Sequence, residues 1–399
     1  MRRTLIIAAL VVVALGVLAG VYYYFFLSAP SVSVAPQGSA TLPGAGPSAA
    51  GNGTTGTTAT GGSAASTPTS VSARLVEISK GPVVPGEAAI DVGDASTTDT
   101  AIEYLERESG NVYTYSENSG TITRTSNRTV PGIESAVWRP DGVSAFVRYL
   151  SGDAFSTVNT YALAADGSGG FFMPQDLADI AVSSSSVLVL ASGVNGSSAS
   201  LYRPDGTSAT EAFTTPLSSL RIGFAGSGHY LAFTKPSAAL PGYAYLVDAK
   251  GGFSRIAGPL TGLVALASPD GKKALVSYSS GGIMKMELVD SATGSATALP
   301  VATIADKCVW ASDSTAAYCG IPTAPPSSYA YPDDWYQGAV SFSDRIWKID
   351  VSGRYAQLVL DFTKETGGAL DATALAVDPH ATALVFVNKN DASLWSYKL

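Results

Sequence analysis

Any chemistry this chain performs must come from few side chains. Residues 329–336 hold three tyrosines, a tryptophan and two carboxylates, most of them inside the run Tyr331-Pro-Asp-Asp-Trp-Tyr-Gln-Gly338. Aromatic faces beside carboxylates suit sugar rings, cationic groups or a peptide. Tyr329, Tyr331, Asp333, Asp334, Trp335 and Tyr336 are therefore the candidate binding residues. Paired Asp or Glu can also run glycoside hydrolysis, so Asp333 or Asp334 would serve a carboxylate-dependent glycan hydrolase or lyase. The same residues admit a plain packing role, with Trp335 and the tyrosines folded down as a plug and the two aspartates capping a turn.

Other reactive groups are scarce. The chain has two histidines, His229 and His380, each at an expected hairpin tip and each read as a surface residue. It contains no Gly-x-Ser-x-Gly elbow, no His-x-x-x-His pair and no phosphate-cradling glycine loop. No cofactor and no metal site is expected. Cys308 and Cys319 stand symmetrically about Ser312-Asp-Ser-Thr315. An antiparallel hairpin there makes them direct cross-strand partners, close enough for a disulfide after small adjustment. No His or further Cys lies near enough in sequence to make the pair a metal site.

The elements that must position these residues recur. Trp138, Ala181, Phe224, Ala267 and Trp310 stand 43 residues apart, each in a short apolar run, and Pro140-Asp-Gly142 and Pro269-Asp-Gly271 follow two of them. A fixed period in the low forties, with β-rich units and Pro-Asp-Gly turns, predicts a β-propeller. Seven such units plus 24 extra residues fill 73–399, and the extra residues are the Pro/Tyr/Trp-rich insert 320–343 in the sixth unit. The runs 144–149, 187–190, 230–233 and 274–278 read as second strands, and Ile346-Trp-Lys-Ile349 reads as the third strand after the insert. The insert thus joins strands two and three, and Lys235–Gly242 is the matching loop two blades earlier. The last unit supplies three strands, near 374–377, 383–388 and 393–398. Arg74-Leu-Val-Glu-Ile78 is the candidate fourth, closing the ring and hiding two sheet edges.

The Pro-Asp-Gly turns after a small or aromatic strand resemble TolB-like and WD40-like propeller repeats, without the Gly-His and Trp-Asp dipeptides of true WD40 blades. In Lys307-Cys-Val-Trp310 and Tyr331–Gly338 the chain is similar to bacterial membrane-anchored β-propeller proteins. That resemblance brings no assigned activity.

Ahead of the propeller, Thr4–Leu27 is 24 residues without a charge, preceded by Arg2 and Arg3. At about 1.5 Å per residue it crosses a hydrocarbon core of about 30 Å. The positive flank puts the N-terminus in the cytoplasm, and Tyr22–Phe26 falls at the outer interface. A cleaved signal peptide ending near Val17-Leu18-Ala19 is the competing reading. Residues 28–72 are almost wholly Ser, Gly, Thr, Ala and Pro with no charge. They are expected to form a disordered tether of roughly 35–40 Å end to end. A net charge of −8 with no basic cluster beyond Arg2-Arg3 argues against a nucleic-acid partner. The expected protein is all-β: a seven-bladed propeller on an N-terminal transmembrane helix and flexible linker. It would be extracytoplasmic, periplasmic or at the cell surface, and would bind or scaffold a protein or cell-envelope glycan.

Overall fold

The computed structural model describes residues 67–94, 97–351 and 355–399. The expected membrane segment 4–27 and residues 28–66 of the linker lie outside the described residues. Among the described residues no helix is long and apolar enough to cross a membrane.

Seven antiparallel sheets follow one another along the chain, and each is one blade. Their innermost strands are Ala88–Asp94, Ile133–Trp138, Leu177–Val182, Leu220–Phe224, Val264–Ala267, Cys308–Trp310 and Ala372–Val377. Alternating apolar residues pack each blade against the next. Phe146 and Ala162 of blade 2 meet Ile180 and Val189 of blade 3, and Tyr318 and Ile346 of blade 6 meet Leu384 and Phe386 of blade 7. The anchor tryptophans explain why the period shows in the sequence. Trp138 Nε1 donates to the Gly86 carbonyl at 3.1 Å and Trp310 Nε1 to that of Leu266 at 3.2 Å, each reaching back to the preceding blade.

The turns after these strands are as tight as the residues imply. Gly271 N donates to the Ser268 carbonyl at 2.8 Å, and Gly271 has φ 71°. A Cβ built on Gly271 would lie 2.1 Å from the Ala225 carbonyl oxygen of the neighbouring blade. Glycine is needed there for both φ and space. Blade 1 departs from the period: its first hairpin pairs Ala88↔Glu103 through Asp94↔Thr97, a longer arm than its counterparts. The insert runs between strands Ala316–Pro322 and Asp344–Asp350 of blade 6, and Gly320–Pro322, read as its first residues, belong to the second strand.

Blade 7 is built from both ends of the ring. Leu75–Ser79 pairs with Leu394–Lys398, with Leu75 opposite Tyr397 and Val76 opposite Ser396. Thr69–Ser70, from the end of the low-complexity run, adds a short fifth strand. Leu75 and Ile78 are fully buried. Full burial of such side chains is worth about 1.5–3 kcal/mol each. Arg74 Nε donates to the Lys398 carbonyl at 2.7 Å, and its guanidinium lies 4.6 Å from the Tyr397 ring centre.

Cys308 and Cys319 are direct cross-strand partners and form a disulfide. Both lie in the apolar layer between blades 5 and 6, beside Leu275, Met286 and Trp310.

Two outcomes are expected. Deleting residues 73–80 should abolish most of the cooperative calorimetric melt, and an unchanged melting curve would rule out the closing strand. Thiol titration of unfolded, unreduced protein should find no free cysteine. Replacing both cysteines with serine should cost about 2–3 kcal/mol in denaturant melts, the scale for so short a loop.

Candidate functional site

In an antiparallel blade, the starts of the innermost strands and the loops joining strands two and three share one face of the ring. That face carries the insert, the loop at Lys235–Leu240 and the blade-to-blade connectors. Its chemistry divides into a buried ionic knot and an open mouth.

The knot centres on Lys307, the last residue of the 3₁₀ turn Ala305–Lys307 before the innermost strand of blade 6. Its side chain is fully buried, as are those of Asp344 and Asp371. Lys307 Nζ donates to Asp344 Oδ2 at 2.8 Å, to Asp371 Oδ1 and to the Ala372 carbonyl at 2.8 Å. Asp371 Oδ2 accepts the Trp335 indole N–H at 3.0 Å and the Phe342 amide at 2.9 Å. The Lys307 ammonium also lies 4.8 Å from the Trp335 ring centre, and that of Lys389 lies 5.0 Å from the same ring. Asp344 Oδ2 accepts the Ala372 amide at 2.8 Å, while Asp344 Oδ1 is buried without a partner. Burial pushes the Asp344 carboxyl up to about 6, helped by Asp371 and opposed by Lys307.

This knot decides the fate of the insert. Trp335 and Tyr331 are buried against blade 5 among Val264, Ile304 and Phe342. The Tyr331 hydroxyl donates to the Pro326 carbonyl at 2.6 Å, and Tyr329 packs at the cluster's edge. Asp333 and Asp334 begin a single-turn helix, Asp333–Tyr336. Asp334 Oδ2 accepts the Ala330 amide at 2.7 Å. Four of the six candidates thus hold the insert together or fold it onto blade 5, and Asp333 stands at the helix start. Tyr336 points elsewhere. It remains 39% exposed, and its hydroxyl donates to Asp306 Oδ2 at 2.7 Å. The same oxygen accepts Arg221 Nη1 at 2.6 Å.

Arg221 opens the mouth. A cavity of about 560 Å³ spans the innermost strands of blades 2, 3 and 4, and its charged lining residues are Arg148, Asp179, Arg221 and Lys235. Asp179 Oδ1 accepts the Ile180 amide at 3.0 Å and Oδ2 the Ile222 amide at 2.8 Å, tying blade 3 to blade 4. Burial raises its pKa, against the pull of Arg221, these two amides and Arg148. Arg148 donates to the Leu177 carbonyl. A depression of about 740 Å³ over Ala191–Ser198 has no charged residue in its lining, so it offers less to orient a polar ligand. His229 and His380 stand in the hairpin turns after the innermost strands of blades 4 and 7. His380 Nε2 lies 3.1 Å from Asp91 Oδ2. Among the described residues no group of three His, Cys, Asp or Glu side chains could hold a metal ion.

The mouth residues escaped the sequence reading because they sit on three blades with no local motif. The period did hold a signal. Arg148 occupies the position that is Ala191, Thr234 and Ser277 in the following blades, and Asp179 the position of Ala136, Ile222 and Ala265. Arg221 and Lys307 share one position two blades apart, where other blades carry Ser135, Ala178 and Val264.

No protein-family profile matches the chain, and no curated protein matches its sequence. Solved structures do resemble it. An oligogalacturonate lyase in complex with manganese aligns with a TM-score of 0.50 at 10% identity, covering 80% of this chain and 98% of that one. The oligogalacturonate lyase of Vibrio parahaemolyticus aligns at 0.49 and 8%, covering 80% and 98%. TolB of Acinetobacter baumannii aligns at 0.40 and 10%, covering 80% of each. At such identities the likeness shows the propeller fold alone.

Two outcomes follow from the buried charges. Lys307→Met should cost about 3–5 kcal/mol in urea melts, because it strands two buried carboxylates; a loss below about 1 kcal/mol would contradict the knot. A carboxyl whose folded pKa exceeds its unfolded value keeps its proton longer in the folded state, so stability falls as pH rises between the two values. Asp344, at about 6, and Glu103, raised to about 7 by burial, therefore predict a lower melting temperature at pH 7.5 than at pH 5. Asp344→Asn should remove the part of that fall between about pH 5 and 6.

Proposed function

We propose that this chain is a membrane-tethered, extracytoplasmic binding head that recognises a protein or cell-envelope glycan at the channel mouth. Residues 4–27 serve as the single-pass anchor with the N-terminus in the cytoplasm, and 28–68 as the tether, which ends where Thr69–Ser70 joins blade 7. The observation that carries the reading is the charged cavity of about 560 Å³ on the insert face, with Arg148, Asp179, Arg221 and Lys235 in its wall. Tyr336 extends the same surface through Asp306. The disulfide supports an extracytoplasmic head, since disulfides persist outside the reducing cytoplasm.

The second reading, a carboxylate-dependent glycan hydrolase or lyase, draws on a structural neighbour that is an oligogalacturonate lyase. Asp179 is the carboxyl it would use here, because it lines the cavity with a raised pKa. Canonical glycoside hydrolysis needs a second carboxylate across the bond, and Asp179 is the one carboxylate in the cavity wall. That favours binding over turnover.

A photo-crosslinking residue at Tyr336 in the native membrane should capture one identifiable partner, displaced by excess unlabelled head. The same residue at Tyr355, exposed in the opposite-face loop between strands three and four of blade 6, should not. Equal capture at both positions, or capture at Tyr355 alone, would overturn the reading. Glycan turnover lost in Asp179→Asn would establish the enzyme instead.

A further inference from the structure

The charges around the mouth do not balance. Arg148, Arg221 and Lys235 face the two carboxylates Asp179 and Asp306, which leaves one positive charge in a chain of net charge −8. The surplus is not evenly held. Arg221 is pinned by Asp306, whereas neither Arg148 nor Lys235 has an ion-pair partner within 4 Å among the described residues. Lys235 is exposed, and Arg148 spends one N–H on the Leu177 carbonyl. Two cations with spare donors thus converge on one cavity, where a charge-assisted contact is about twice as strong as a neutral one.

The uncharged wall narrows the ligand further. Ser135, Ser218 and Ser219 line the cavity, and their hydroxyls have no partner among the described residues. Each can both donate and accept, as vicinal sugar hydroxyls require. An acidic peptide would want sockets for apolar side chains, yet Ile180 and Leu220 in the same wall are 6% and 3% exposed, already spent on blade packing, which leaves the small Val137 and Ala178 as the open apolar surface.

Resting on the binding-head reading, we infer that the mouth takes an acidic sugar, its single carboxylate between Arg148 and Lys235 and its hydroxyls on Ser135, Ser218 and Ser219. Arg221 and Asp179, both tied to the frame, act as the rigid floor. Tyr336 closes one side as part of the Asp306 contact.

Calorimetric titration of the full-length chain in detergent with cellobiouronic acid, cellobiose and triglutamate tests this, the first two differing in a carboxylate against a hydroxymethyl group. The sugar acid should bind at least about tenfold more tightly than cellobiose, and more weakly as salt rises. Arg148→Ala and Lys235→Ala should each weaken it about tenfold, the scale of one charged contact, with Lys235→Arg restoring most of the loss. Lys235 is exposed, so its variant keeps the test valid should the Arg148 variant fold poorly. Equal binding of cellobiose, displacement of the sugar acid by triglutamate, insensitivity to Lys235→Ala, or no binding of the sugar acid at millimolar concentration would each overturn the inference. Any of these alongside specific capture at Tyr336 would leave the binding head standing and remove its acidic-sugar ligand.

Discussion

Everything in this fold depends on the pairing of Leu75–Ser79 with Leu394–Lys398. Each blade buries its faces only because another blade stands on either side, and a ring satisfies that condition for all seven at once. Bringing together residues more than 300 apart costs about 5 kcal/mol in chain entropy on the logarithmic scale of loop closure. Burial of Leu75 and Ile78, at about 1.5–3 kcal/mol each, offsets that cost, with the strand's hydrogen bonds in addition. The closing strand is therefore a modest contact with a large consequence, since the blade 7 to blade 1 interface is anchored on it.

The second determinant is the charge buried at Lys307. Dry ion pairs are poor sources of net stability, because desolvation offsets their attraction. Their value here is orientation. Asp371 binds Lys307, the Trp335 indole and the Phe342 amide together, so the insert can seat in one way. The residue before Lys307 faces the other way: Asp306 meets Arg221 and Tyr336 at the mouth. Two adjacent residues thus connect the packing of the insert to the geometry of the cavity.

What could be read in the sequence was periodic or local. The 43-residue spacing, the Pro-Asp-Gly turns and the symmetric cysteines each follow from contacts repeated in every blade or confined to one hairpin. The closing strand was legible because the last unit lacked its fourth strand. The insert's position was legible, but not its packing: whether Trp335 faces solvent or core depends on Asp371, 36 residues away in an unremarkable connector. The mouth was hidden for a related reason, since Arg148, Asp179 and Arg221 converge only through ring geometry. They stood out only as charges at positions where neighbouring blades carry small or apolar residues.

The cavity on the insert face draws its wall from blades 2, 3 and 4. The cavity requires the ring to be closed by its own ends, because an open ring would not hold blades 2, 3 and 4 in the register that forms it. Native-state hydrogen exchange measures this directly. The amides of Leu75–Ser79 should exchange as slowly as those of Leu394–Lys398, both released only by global unfolding. Rapid exchange at 75–79 with 394–398 still protected would contradict it.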